Sequence, residues 1–509
     1  MATGQLFSNE IVIEAAIEAL IGLFFALVAV AIVYSTPLRD ATSDMSQKLL
    51  LASGAPGGAM RLGGSRQQGD GWRPPSHWLF VDLGPNFCQG DKGTGGCPPS
   101  LVRTDRSKLA TLLRSIRRCR PRLIVLDILI DRPATPAAEP GDSADPSREL
   151  VEALEEPGPP VLLSWGPREV EVPAAGGGRS TLVSHEDNFL TLSAKAKRNA
   201  RYLPALRRLN GPTARFLTPD YDILDSQTGA RGTSPGIAFG AAMIAADPDR
   251  AESNLDAFGA VRTSTAKAPT ASCVRYPSQA CLDAYRRTQR LFSFLPVRSD
   301  EGAETPSGPP KPNYLAPHGD GTDLSPSRLE DSIVVIGDSR ASAGDRTWTA
   351  VGDASGSEVI LNDIRQFLLA DPAPDLSPGC EMLGEWPFFC LGFLALFLSS
   401  AFALRLWPRP HRDAGAAETL TDLWPAILRS TARLILSFVL ATVFFAIFVR
   451  VRPVDNRSIP NFMAPFFALL LENLFEWLHR LAVGLHDGLH RLVRGLGPKP
   501  EPAQEGSVR

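Results

Sequence analysis

Four aspartates stand at or just beyond the ends of apolar runs: Asp82 in HWLFVDL (77–83), Asp127 in RLIVLDILI (122–130), Asp338 in SIVVIGD (332–338), and Asp345 a short loop later. Carboxylates gathered at one edge of a sheet repel, raise one another's pKa and attract a cation or an amine-bearing ligand. The same acids can instead cap helices or accept bonds from loop amides, and the residue types leave both readings open. The expectation taken forward is that Asp82, Asp127, Asp338 and Asp345 line a ligand pocket. Asp220, Asp222 and Asp225 form a second acidic stretch, but their spacing misses the calcium-loop pattern and a solvated turn is expected there.

Other chemistry is sparse. His486 and His490 lie four apart, as zinc ligands on a helix can, yet no third ligand accompanies them. His185 neighbours Ser184 and Asp187, but nucleophilic catalysis needs partners that converge in space, which adjacency in sequence does not supply. No phosphate-binding lysine loop, kinase signature set or nucleophile elbow occurs. Catalysis, a metal and a cofactor are therefore not expected. The seven cysteines suit an oxidising compartment. Cys88 and Cys97 flank QGDKGTGG and Cys273 and Cys281 flank VRYPSQA, so two short-loop disulfides are expected, with Cys119 and Cys380 as a third candidate pair.

The elements that would position these residues alternate between strand and helix. The run at 77–83 precedes a helix over 107–119, where Leu109, Leu112, Leu113 and Ile116 recur at helical spacing. The nearly continuous apolar run at 122–130 is that of a strand buried on both faces. A helix at 146–156, strands at 159–165 and 332–338, and a helix at 357–370 continue the pattern, which predicts an α/β fold with a mixed or parallel sheet and covering helices. Residues 300–326, rich in Pro, Gly and Ser, read as a mobile insertion without chemistry.

Hydropathy places this stretch. An apolar segment at 17–33 precedes it and three follow, at 386–406, 434–449 and 462–478, which predicts four transmembrane helices, one N-terminal and three C-terminal. The first lacks a basic n-region, so an anchor is expected rather than a cleaved signal peptide. Arg405, Arg409, Arg412, Arg429 and Arg433 in one loop and Arg480, Arg491, Arg494 and Lys499 in the tail put both termini in the cytoplasm of an inner-membrane protein. The organisation expected is a transmembrane anchor at 1–36, a linker at 37–76, an extracytoplasmic domain at 77–384, three membrane helices at 385–480 and an amphipathic cytoplasmic tail at 481–509. Net charge of −3 disfavours nucleic acid as a partner, whereas membrane lipid is an expected one.

Within the membrane segments, Glu14 and Glu18 enter the first helix, Arg429 and Arg433 begin the third, and Glu472 and Glu476 leave the fourth, all on one side. Ionisable groups in a span are costly unless paired or solvated, so these six are expected to form an ion-pair network that couples the helices, with snorkelling into headgroups as the equal alternative.

The ordered set FVDL (80–83), LATLLRSIRRCRPRLIVLDILID (109–131), IVVIGDS (333–339), AGDRTW (343–348) and GSEVILNDIRQFLL (356–369) resembles the CHASE type 2 domain. That family comprises extracellular or periplasmic sensory domains associated with cyclases and histidine kinases, with one membrane helix before and three after. The resemblance implies an extracytoplasmic sensory fold over about residues 79–371 and makes a homodimer the expected assembly. The stretch at 218–232 lacks the family's usual Asp-Gly step, and that after Asp345 lacks its Thr-Pro. Too few residues follow 478 for the output domain that members usually carry, so a stand-alone sensor with a separate cytoplasmic or membrane effector is expected. Its stimulus would be an unknown small-molecule ligand or the state of the envelope. A ligand-free membrane scaffold is the alternative, and an extracytoplasmic hydrolase a more distant one.

Overall fold

A computed structural model describes residues 73–83, 87, 104–128, 130, 146–165, 168–173, 179–185, 192–205, 217–225, 231–256, 258, 273–275, 277–287, 314–315, 324–339, 346–349, 352–369 and 386–406, with scattered helical residues between 12 and 28, 428 and 444, and 474 and 486. The chain divides into two compact units. One comprises residues 1–53, 377–452 and 460–509, the other residues 54–376 and 453–459.

The second unit is built on a six-stranded sheet of β1 (Trp78–Asp82), β2 (Leu123–Leu126), β3 (Val161–Trp165), β6 (Ala200–Pro204), β9 (Tyr314–Leu315) and β10 (Ile333–Gly337), in the order β6-β3-β2-β10-β1-β9. Every pairing in it is parallel. Parallel strands need crossovers that cover both faces, which is why the central runs are largely apolar and β2, β3 and β10 are buried at every residue.

Alternation along each strand feeds two cores. Leu79, Val81, Ile124, Leu126, Val334 and Ile336 face α1 (Arg106–Arg118) and α2 (Pro146–Glu155). Phe80, Leu123, Val125, Ile333 and Val335 face α4 (Ile237–Ala246), α6 (Gln279–Arg287) and α8 (Gly356–Leu369). Asp105 caps α1 by accepting from the amides of Ser107 and Lys108, both at 3.1 Å. On the other face, Phe239, Tyr285 and Phe367 form an edge-to-face aromatic cluster, and the Tyr285 hydroxyl donates to the Phe367 carbonyl at 3.3 Å. The short helices α3 (Ala196–Asn199), α5 (Ala251–Asp256) and α7 (Pro326–Leu329) complete the unit's helical set among the described residues.

Several elements lay outside the sequence expectation. A four-stranded sheet forms from β4 (Arg168–Pro173), β5 (Arg179–His185), β7 (Asp220–Asp225) and β8 (Arg231–Pro235), and β11 (Arg346–Thr349) pairs with β12 (Gly352–Ser355) as a hairpin. The segment 300–326, expected to carry no chemistry, supplies β9, whose Tyr314 and Leu315 pair with Phe80 and Val81. A two-residue strand leaves no periodicity to read, and edge pairing is decided by the partner strand.

In the first unit, α9 (Trp386–Leu406) is the helix expected at the second apolar segment. Among the described residues no helix is long and apolar enough to cross a membrane; the side chains of residues 386–389, 392 and 396 of α9, and most of the other three expected spans, lie outside them. Small residues of α9 are buried, Ala395, Ser399 and Ala403 recurring every fourth position, whereas Leu394, Phe402 and Leu406 are exposed. Ala15 packs against Ala401 and Leu404.

Candidate functional site

The carboxyl ends of the central strands align in one row. Asp82 stands opposite Gly337, and Asp127 follows the pair Leu126 and Ile336, its amide donating to the Ile336 carbonyl at 2.8 Å. Ser164 follows the pair Leu126 and Leu163 on the other side of β2. The row therefore reads Asp82, Gly337, Asp127, Ser164 across β1, β10, β2 and β3. By alternation these positions share the face of Phe80, Val335, Val125 and Leu162, the one covered by α4 and α8.

Topology makes this edge the place where a crevice is expected. The chain leaves β1 and β2 for α1 and α2 on one face, and after β10 it reaches α8 on the other. Both neighbours of β10 thus send their connections the opposite way, the arrangement at which open α/β sheets bind ligands beyond their carboxyl ends.

Both central carboxylates are buried, Asp82 being 6% and Asp127 3% exposed, and each is met by hydroxyl donors. Tyr314 donates its hydroxyl to Asp82 Oδ2 at 2.6 Å, the Ser339 amide donates to Oδ1 at 3.0 Å, and the Ser339 hydroxyl also bonds Oδ2. The Ser357 hydroxyl donates to Asp127 Oδ2 at 2.7 Å. Bonds to the ionised form compensate for lost hydration, which lets two carboxylates be buried in a largely apolar sheet.

Ser357 reaches Asp127 because the first turn of α8 rests on the sheet edge. A Cβ at Gly337 would overlap the Ser357 hydroxyl and its Cβ, so glycine there permits the approach. Ser355 and Glu358 close a capping box: the Ser355 amide donates to Glu358 Oε2 at 2.7 Å and the Glu358 amide donates to Ser355 Oγ at 3.2 Å. The amino end of α8 also carries partial positive charge, which favours the nearby Asp127 carboxylate.

The remaining expected site residues fall as follows. Asp338 is half-buried directly after β10, whereas Asp345 lies outside the described residues. No group of three or more His, Cys, Asp or Glu among the described residues is arranged to hold a metal. Asp220 is clamped by Arg286, whose Nε donates to Oδ1 at 3.0 Å and whose Nη2 reaches Oδ2, so it sits in a buried ion pair rather than a solvated turn. That partner comes from α6, far along the chain, and no local spacing could have announced it. Cys273 and Cys281 are joined in a disulfide, while Cys88 and Cys97 lie outside the described residues. Cys119 is a free thiol, its Sγ donating to the Ser115 carbonyl at 3.5 Å and its pKa pushed up by burial, which removes it from the proposed third pair. Glu14, Glu18, Arg429, Arg433, Glu472 and Glu476 all lie outside the described residues, as does His490.

Tyr314, Ser339, Ser357, Gly337 and Ser164 were not singled out from sequence. One signal was available: Ser355 followed three residues later by Glu358 before an apolar run marks a helix start, and so places Ser357 in its first turn.

Neither the curated proteins nor the solved structures include a significant match to the chain. The CHASE2 domain family, in contrast, matches residues 91–401, from just beyond β1 through α8 and into α9. That span is more than half of the protein and includes the Asp127, Ser164, Gly337 and Ser357 positions, and on it the chain belongs to the CHASE2 domain family, a family of sensory domains.

Proposed function

We propose that the protein is a membrane-anchored extracytoplasmic sensor, whose α/β unit receives a small molecule at the carboxyl edge of its sheet and whose C-terminal helices pass the change to a separate partner. Membership of a sensory family carries the reading. The distribution of apolar surface supports the anchoring. Every exposed large apolar side chain among the described residues belongs to the unit of residues 1–53, 377–452 and 460–509, including Ile13, Ile17, Leu20, Phe24 and Val28 at helical spacing. Large side chains outward with small ones between helices is the inverse of a water-soluble pattern and suits lipid. Chain continuity supports the signalling route, since α8, fastened to the sheet edge at its start, is the described element immediately before α9.

Topology is the first test. In intact cells, a membrane-impermeant maleimide should label Lys108→Cys in α1, while Ala416→Cys, between the expected second and third spans, should react only after lysis. Labelling of Lys108→Cys that requires lysis would remove the extracytoplasmic assignment.

A further inference from the structure

We infer that Ser164 and Asp127 form a subsite for a hydroxyl group of a polyol or sugar, which enters by displacing the Ser357 hydroxyl; the inference rests on the sensor reading above. Ser164 is 2% exposed and its Oγ has no hydrogen-bond partner among the described residues. Leaving a buried hydroxyl unpaired is unfavourable, and such exceptions call for an account. This one lies beside a carboxylate: β2 and β3 are neighbours in register, which puts the two residues about 5 Å apart along the row. Both face the α4 and α8 side.

The chemistry selects the group. A ligand hydroxyl can accept from Ser164 and donate to Asp127 at once, because it carries both a proton and lone pairs. An ammonium could donate to either oxygen but would leave the Ser164 proton without an acceptor. The edge already handles its carboxylates this way, with the hydroxyls of Tyr314 and Ser339 on Asp82 and that of Ser357 on Asp127. Replacing Ser357 by a ligand hydroxyl therefore exchanges one neutral donor for another and leaves the charge of the site unchanged. The exchange also frees the start of α8 from the sheet while the capping box of Ser355 and Glu358 keeps the helix intact, so α8 would move as one piece.

The test uses the full-length protein in detergent, with glucose, myo-inositol and ribitol as probes and ethylamine, which has no hydroxyl, as the amine control. Concentrations stay below those at which sugars stabilise any protein by exclusion, so that only saturable rises in Tm count. At least one polyol is expected to raise Tm saturably. Ser164→Ala, and Ser164→Cys as a second variant of similar volume, should weaken its apparent affinity by about tenfold or more, because the ligand oxygen loses its donor. Ser357→Ala, which removes the competing donor, should strengthen it. An unchanged response in both Ser164 variants would overturn the subsite and leave a buried water as the partner of Ser164. Saturable stabilisation by ethylamine alone would overturn the hydroxyl class but keep the sensor, whereas no saturable response to any probe would count against the small-molecule sensor itself.

Discussion

The Ser357 hydroxyl donates to the Asp127 carboxylate at 2.7 Å across 230 positions of chain, fastening the start of α8 to the end of β2. Gly337 makes room for the contact and the capping box of Ser355 and Glu358 orients the turn that presents it. The fold thus ties the last described helix of the α/β unit to the carboxyl edge of the sheet, at its topological switch point. In the proposed sensor, a ligand at that edge would meet α8 through Ser357.

Ser357→Ala should lower stability by about 1–3 kcal/mol, the cost of leaving a buried acceptor short of a donor. Denaturant unfolding followed by near-UV circular dichroism would measure it. A loss near zero would mean that water or another hydroxyl replaces Ser357 at Asp127.

Gly337→Ala should cost a similar amount for a different reason, since its Cβ overlaps Ser357 and α8 must lift from the sheet. Adding Ser357→Gly removes the obstruction, so a double-mutant cycle should show favourable coupling between the two changes. Additive losses would indicate that the glycine is needed for its backbone alone.

Arg286→Ala should destabilise by about 2 kcal/mol, because the Asp220 carboxylate is fully buried and would lose its charged partner, while the partial exposure of Arg286 tempers the loss. Arg286→Lys should recover only part of it, as a lysine cannot make the two-pronged contact. Thermal unfolding of the two variants would separate the charge from its geometry.

Tyr202 on β6 supplies a pH signature. Burial pushes its pKa up to about 12 from an ordinary 10, with Arg106 opposing the shift. Above the ordinary value the unfolded chain gives up a proton that the folded chain retains, so stability is fully present below about pH 10 and falls as pH rises toward 12. Tyr202→Phe should flatten that part of the stability profile, and a titration of phenolate absorbance should lose one step near pH 12.

The Cys273 to Cys281 disulfide ties the segment before α6 to the first turn of that helix, which places Tyr285 against Phe367. Replacing both cysteines by alanine should cost about 2–3 kcal/mol, the loop-closure contribution for a ring of this size. Equal stability with and without reductant would show that the aromatic cluster alone holds α6.

Sequence by itself determined four strands of the central sheet, β1, β2, β3 and β10, and three of its covering helices, α1, α2 and α8. Apolar runs such as LIVL and the 3.6-residue spacing of Leu109, Leu112, Leu113 and Ile116 are local consequences of what each element buries, and they appear where the structure has β2 and α1. It also placed Asp82 and Asp127 at strand ends, because a carboxylate interrupting an apolar run marks the point where burial ceases to be uniform. Tertiary structure alone decided what those acids meet. The insertion of β10 between β1 and β2 puts Gly337 between the two carboxylates, and the donors Tyr314, Ser339 and Ser357 come from segments more than 200 positions away. The same holds for Arg286 on Asp220 and for β9 at the sheet edge. Strand order and hydrogen-bond partners over such separations depend on how crossovers pack, and no local periodicity carries that information.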